Sequence, residues 1–582
     1  MRIEDGFAHA MLVARTVSRL HWRQIVFRPL RRIQRVIPPY LPRSTEPFDE
    51  EALQRFRTVA SAWVGEPDDR VVERAEAVAA AQFRFLNHAE SLSSIDWCRR
   101  YVSHLWNYHL HYFEYAVDLA AAYRWSQDDR FREAFERLAG SWIDGAPPGH
   151  GDGWEPYALS QRIIHWSLAL ILFGGALTTA VRERLRGSLG AQLAFLEKRL
   201  EWHVLANHLQ KNFAALAVGG LLFRGPRAAR WRRRGVGGMQ AALQAQVLPD
   251  GGHYERSPMY HACALADHLL LVALLRSVGA IPPSRISRRL VRMLAAYGSF
   301  SRSDGTLHLF NDSANGAAPS RATIARLASL LGEEIREANG LVALPQTGYF
   351  GWIDRPAGDR VIIDCGEPGA PYQPGHAHCD ALSYELDLSG RPVVVDSGVH
   401  GYGGDPLREY VRSTRAHNTV MIGGREQSEV WGTFRLARRV RILGAAQEHD
   451  GGAYRFSGGC GPFHDPRAAH WRAVSWRERT MRVEDRVEGA HGARIASFVH
   501  LHPAFRVERA GDAFVAVSSD LTVRIETFGV DDVAIRVGER EPAQGWYCPE
   551  FGVAIPAPVL ELVVAANDER MFGYVIREVE RR

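Results

Sequence analysis

The sequence predicts an α+β chain with an N-terminal (α/α) helical toroid followed by a C-terminal antiparallel β-sandwich. Three observations carry that expectation. Apolar residues recur at helical spacing from about Phe56 to Leu331. After GLVALPQTGYFGW the texture changes to short, alternating, β-branched runs. The chain of 582 residues, 46% hydrophobic and 24% charged, has an ordinary globular composition and is long enough for more than one core. The expected boundaries are 1–48 for a basic N-terminal extension, 49–338 for the toroid and 339–582 for the sandwich.

The extension comes first. Its first 36 residues hold eight arginines against only Glu4 and Asp5. A basic arm of this kind suits a solvated surface or an anionic neighbour, so peripheral membrane contact is one expectation. The proline-rich connector VIPPYLPRSTEP ends it. The whole-chain excess of 71 basic over 66 acidic residues is slight, and no nucleic-acid partner is expected. The oligomeric state is left open.

Ten or eleven helical segments follow, including YALSQRIIHWSLALILFGGAL, LQKNFAALAVGGLLF and YHACALADHLLLVALL. Leucine and alanine occupy more than one face of each, as in helices packed on both sides. Short connectors such as PPGHGDGWEP and LPDGGHYERSP join them. Beyond residue 338 about a dozen strand runs appear, with LDLSGRPVVV as a hairpin signal through Ser-Gly.

The six cysteines are scattered without a CxxC pair, which points away from a disulfide framework and towards a reducing compartment. FAHAMLVARTV is interrupted by Arg15 and lacks a small-residue cleavage site. No later run reaches the length of a membrane span. The expected location is cytoplasmic, peripheral to a membrane if the basic leader binds one.

Three clusters carry chemistry. VLANHLQKN holds Asn207 and His208 at the start of a helix; alone, the pair reads as a cap or as core polar residues. DGGHYERSPMYH packs His253, Tyr254, Glu255, Arg256, Tyr260 and His261 together. Ser257 is a plausible N-cap and Pro258 fits the first helical position, so Tyr260 lies where the helix dipole favours developing negative charge. The third cluster runs from GHAHCDALSYEL to STRAHNTV. His376 and His378, two apart, would share a face of a strand. Histidines with a carboxylate such as Asp380 or Asp396 make a zinc set or a hydrogen-bonded cluster.

These segments occur together in an order that resembles the heparinase II/III-like polysaccharide lyases. GHAHCDALSYEL, VVVDSG, RSTRAHNTV with GGREQSE, and an Asn-His pair 53 residues before the tyrosine of SPMYH carry the resemblance. The leader HWRQIVFRPLRR resembles members associated with bacterial exopolysaccharide loci. The resemblance implies a lyase acting on a uronate-containing acidic polysaccharide, with Asn207, His208, Tyr260 and His376 catalytic. It implies a mainly structural Zn2+ on His378, Asp396 and His417, and no organic cofactor. Trp154, His253, Tyr254, Glu255, Arg256 and Tyr402 are expected to line the substrate. The absence of a recognisable export signal departs from degradative family members.

The residues suit that chemistry. β-Elimination removes the C5 proton of a 4-linked uronate after its carboxylate is neutralised, and an acid protonates the departing oxygen. Tyr260 as a base needs its pKa of about 10 lowered by the helix terminus or an imidazolium. Two alternatives stand beside this reading. One is a toroidal glycoside hydrolase, which would use two carboxylates from among Asp250, Glu255 and Asp312. The other is a non-catalytic polysaccharide-binding factor of exopolysaccharide assembly.

Overall fold

A computed structural model describes residues 2–36, 46–280, 282–463, 466–565 and 570–581. Most of the proline-rich connector lies outside the described residues. The helical half is a double layer. Helices Pro156–Phe173, Ala206–Leu222 and Pro258–Ser277 are buried almost throughout, which explains why their sequences are apolar on every face. Pro258–Ser277 is long and apolar enough to cross a membrane, but it is a core helix of this toroid. Helices Pro226–Gln246 and Ser284–Phe300 bury one side only and form part of the outer layer. Inner and outer helices approach closely through glycine. A Cβ on Gly235 would lie 2.3 Å from the backbone of Ala217, and one on Gly220 2.5 Å from that of Arg232.

The last toroid helix is Arg321–Ser329 and the first sandwich strand is Gly340–Leu344. The second half contains eight-, five- and four-stranded sheets, more strands than the dozen runs the sequence suggested. The five-stranded sheet continues into the four-stranded one through a bridge between Val394 and Leu501. Both bury apolar residues against the eight-stranded sheet in one core that includes Leu386, Val499 and Val483. A buried Arg472–Asp485 pair (2.7 Å) crosses this core, the guanidinium reaching the Leu382 carbonyl at 2.7 Å. The expected hairpin forms between Tyr384–Leu388 and Arg391–Val394, with Ser389 and Gly390 both at positive φ, as a two-residue primed turn requires. The sandwich half also contains a helix, Pro406–Arg412, that the strand pattern did not suggest.

The basic leader is a helix pair, Arg2–Val17 and Trp22–Val36, packed on both halves. Arg15 pairs with Glu429 of the sandwich (2.7 Å) and Arg31 with Glu155 of the toroid (2.7 Å). Gln24 is fully buried, its amide donating to the Val204 carbonyl at 3.2 Å.

Candidate active site

The site forms where the connectors of the toroid meet the loops of the sandwich. Ser257 caps the helix that carries Tyr260: its hydroxyl accepts from the Tyr260 amide at 3.2 Å and donates to the Asp312 carbonyl at 2.7 Å. Pro258 sits at the first helical position, as its fixed φ favours. Tyr260 then lies against His376 from the other half of the chain, with ring centroids 4.0 Å apart. Its hydroxyl is 2.8 Å from that of Tyr402, a third residue expected at the site.

His376 is fixed from behind. Asp312 accepts from its Nδ1 at 2.9 Å, so Nε2 is the nitrogen left to take a proton. The same carboxylate is 2.8 Å from His378 Nε2 and is clamped by the Arg408 guanidinium. Burial pushes the Asp312 carboxyl up, but Arg408, His376 and His378 outweigh it and hold it well below the usual carboxylate range. His376 and His378 therefore share a partner, although they sit on a loop and not on the strand the spacing suggested.

Asn207 is the second residue of its helix, which is entered through Leu205 and Ala206, both at positive φ (68° and 51°). Two consecutive non-glycine residues in that region are costly and are held by their surroundings. The turn brings the Asn207 backbone N–H to Glu255 Oε1, to which it donates at 3.2 Å. Glu255 Oε2 lies 3.6 Å from His376 Nε2, so this buried carboxyl links the two candidate residues. Burial raises its pKa. His208 packs tilted against Tyr157, ring centroids 4.4 Å apart, and holds Glu201 through Nδ1 at 3.0 Å. Burial disfavours its charge, but Glu201 prevails and its pKa is raised.

Several expectations are corrected. The helix terminus does not lower the Tyr260 pKa in the free protein. Burial, with Tyr402 and Asp312 nearby, raises it well above 10, so Tyr260 is a neutral phenol. Trp154 is not in the cleft; it packs between Trp142 and Phe195 in the toroid core. His253 is 1% exposed and bonded to Gln246 at 3.2 Å. Tyr254 packs on Ala206 and accepts from the Tyr372 hydroxyl at 3.3 Å. Arg256 donates to the carbonyls of Thr347 and Gly369 and straps the two halves together. Arg408 was missed, although Asp405-Pro406 before REYVR is a helix-start signal and Asp405 does cap that helix.

The metal set fares differently. His378, Asp396 and His417 bring one ligand atom each to within 4.8 Å of one another. His378 Nδ1 and His417 Nε2 are buried without a hydrogen-bond partner, while His417 Nδ1 is held by Asp396 at 2.7 Å. Two unpartnered imidazole nitrogens beside a carboxylate fit a cation.

Relatives share the two-part fold. Residues 54–332 match the family described as Heparinase II/III N-terminus, and residues 336–573 match Heparinase II/III-like, C-terminal. A heparin-sulfate lyase of Pedobacter heparinus is 25% identical over 348 residues, 54% of this chain and 51% of that protein. FtsZ-localized protein C of Caulobacter vibrioides is 28% identical over 289 residues, 50% of this chain and 47% of that protein. These matches thus span about half the length of the curated relatives. The crystal structure of heparinase III superposes with a TM-score of 0.71 at 18% identity, covering 91% of this chain and 92% of that one. A chondroitin AC lyase of Streptomyces coelicolor superposes at 0.52 with 11% identity, covering 91% and 83%. With both halves matched in order over nearly the whole chain, the protein belongs to the heparinase II/III-like family.

Proposed function

We propose that the protein is a polysaccharide lyase that cleaves a uronate-containing acidic polysaccharide by β-elimination. The observation that carries the reading is the contact of Tyr260 and His376 from opposite halves of the chain, 4.0 Å between ring centroids. His376, oriented by Asp312, takes the C5 proton at Nε2. The C5–H electrons form the C4–C5 double bond, the C4–O4 bond breaks, and Tyr260 gives its proton to O4. A departing alkoxide is a stronger base than a phenolate, so a neutral phenol suits the acid step. Asn207 and a protonated His208 neutralise the uronate carboxylate before the proton leaves. Tyr402 bonds the Tyr260 hydroxyl and offers a path for its reprotonation.

His378, Asp396 and His417 would hold Zn2+ with a further exchangeable ligand, joining three segments of the sandwich. Its contribution would be to brace the loop that carries His376. A place in exopolysaccharide metabolism is part of the proposal and rests on the leader's resemblance alone.

The hydrolase reading loses its carboxylate pair. Asp312 is consumed by Arg408 and two histidines, and Asp250 accepts from the amides of Gln346 and Thr347. The non-catalytic polysaccharide-binding reading is the other alternative. A panel of acidic polysaccharides followed by ultraviolet absorbance separates the three. New conjugated double bonds support elimination, reducing ends without absorbance mean hydrolysis, and binding with neither means a non-catalytic role.

A further inference from the structure

The leader helix Trp22–Val36 is amphipathic in an inverted sense. Trp22, Ile25, Val26, Leu30 and Ile33 recur at i, i+3, i+4, i+8 and i+11, which places them on one stripe. An ordinary surface helix turns such a stripe inward. Here the five are 60, 51, 53, 39 and 57% exposed, and Val17 at the end of the preceding helix is 46% exposed. The protein-facing side carries Gln24, Phe27 and Arg31 instead, with Gln24 fully buried and Arg31 bound to Glu155. The stripe is therefore held outward by contacts made on the opposite face. Exposed large apolar side chains on the toroid stand singly by comparison, as Val102 and Val278 do.

Charge decides what covers the stripe. The helix Trp22–Val36 contains no acid, and Arg28 and Arg32, both exposed, lie along one edge of the stripe with Arg19 just before it. An apolar face rimmed by arginine complements an interface of acyl chains beneath anionic headgroups. A second copy would set arginines against arginines across a two-fold axis, which opposes association. With 15 residues the helix is too short to span a bilayer and would lie in its plane.

We propose that the leader helix docks the protein flat on an anionic membrane surface through Trp22, Ile25, Val26, Leu30 and Ile33. Its inner face touches Val204, three residues before Asn207, and Gln373, three before His376. The membrane-bound helix thus sits on both segments that deliver the candidate catalytic residues. This inference does not depend on the lyase reading.

The test is co-sedimentation of the full chain with vesicles of phosphatidylcholine alone or with phosphatidylglycerol as about a third of the lipid. Binding should require phosphatidylglycerol, weaken with salt, and fall at least about 10-fold in Ile25→Glu/Ile33→Glu. Because both side chains point outward, the variant should keep the parent's thermal unfolding midpoint, and the conservative Ile25→Val/Ile33→Val should retain binding. Equal binding by parent and Glu variant would overturn the proposal. So would the absence of vesicle binding, whether or not light scattering reveals a dimer that the Glu variant disperses.

Discussion

Asp312 divides its two oxygens among Arg408, His376 and His378 and, by holding Nδ1, decides that Nε2 is the nitrogen of His376 left to take a proton. With the ring set this way, Tyr260→Phe removes the one proton donor to O4 while keeping the ring contact. Turnover on an active polysaccharide should fall roughly 10²–10⁴-fold, at a stability cost of about 1 kcal/mol for the lost bond to Tyr402. Tyr254→Phe removes only a bond to Tyr372, costing about 1 kcal/mol of stability and leaving kcat intact. Equal loss of kcat in both variants would return the catalytic tyrosine to doubt. His208 supplies a pH dependence of definite sign. Its pKa is raised by Glu201, so its charge persists above the ordinary histidine range and is lost as pH rises through the folded value. KM for an anionic substrate should climb over that interval in the parent and stay flat in His208→Gln. A climb that survives the substitution would assign the charge to another group. At this scale the sequence offered Asn207, Tyr260 and His376 as candidates, because type and order are properties of the chain. It misplaced Trp154, His253 and Arg256, since a polar or aromatic residue on a connector looks the same whether it faces a cleft or a core.

Elements were legible wherever the signal was local. Ser257-Pro258 marked a helix start and Ser389-Gly390 a hairpin, each through backbone preferences of two or three residues. The seven-residue helix Pro406–Arg412 escaped because it is too short to show a period, and with it went Arg408. The cap can be tested. Ser257→Ala removes the bond to the Tyr260 amide and the one to the Asp312 carbonyl, so stability should drop by about 1–2 kcal/mol in denaturant unfolding. Turnover should fall with it, since both candidate proton-transfer residues hang on that serine; an unchanged kcat would show that the cap does not position them. The zinc proposal belongs here too, because the three ligands come from separate segments. Protein purified without added metal should contain near-stoichiometric zinc by elemental analysis, and His417→Ala should lose it. Zinc content indifferent to that change would leave a hydrogen-bonded cluster.

The two halves of the molecule are joined by Arg256, whose guanidinium donates to Thr347 and Gly369, and by Tyr349, whose hydroxyl donates to the Arg256 carbonyl at 2.6 Å. Arg256→Ala should therefore cost about 1–3 kcal/mol in stability and lower kcat, by loosening the approach of His376 to Tyr260. A variant of full stability with only a raised KM would instead place the guanidinium on the substrate. Helical period, strand alternation and the change of texture near residue 338 determined the two-domain architecture from the sequence alone, because burial of a repeating face is written into residue spacing. Which connectors meet was decided by the tertiary structure. Tyr260 and His376 are 116 residues apart, and their contact depends on how two separately built cores pack. The protonation of Tyr260 was decided there as well. A helix terminus is visible in sequence, but burial and the neighbouring Tyr402 and Asp312, which raise the Tyr260 pKa, exist only once the chain has folded.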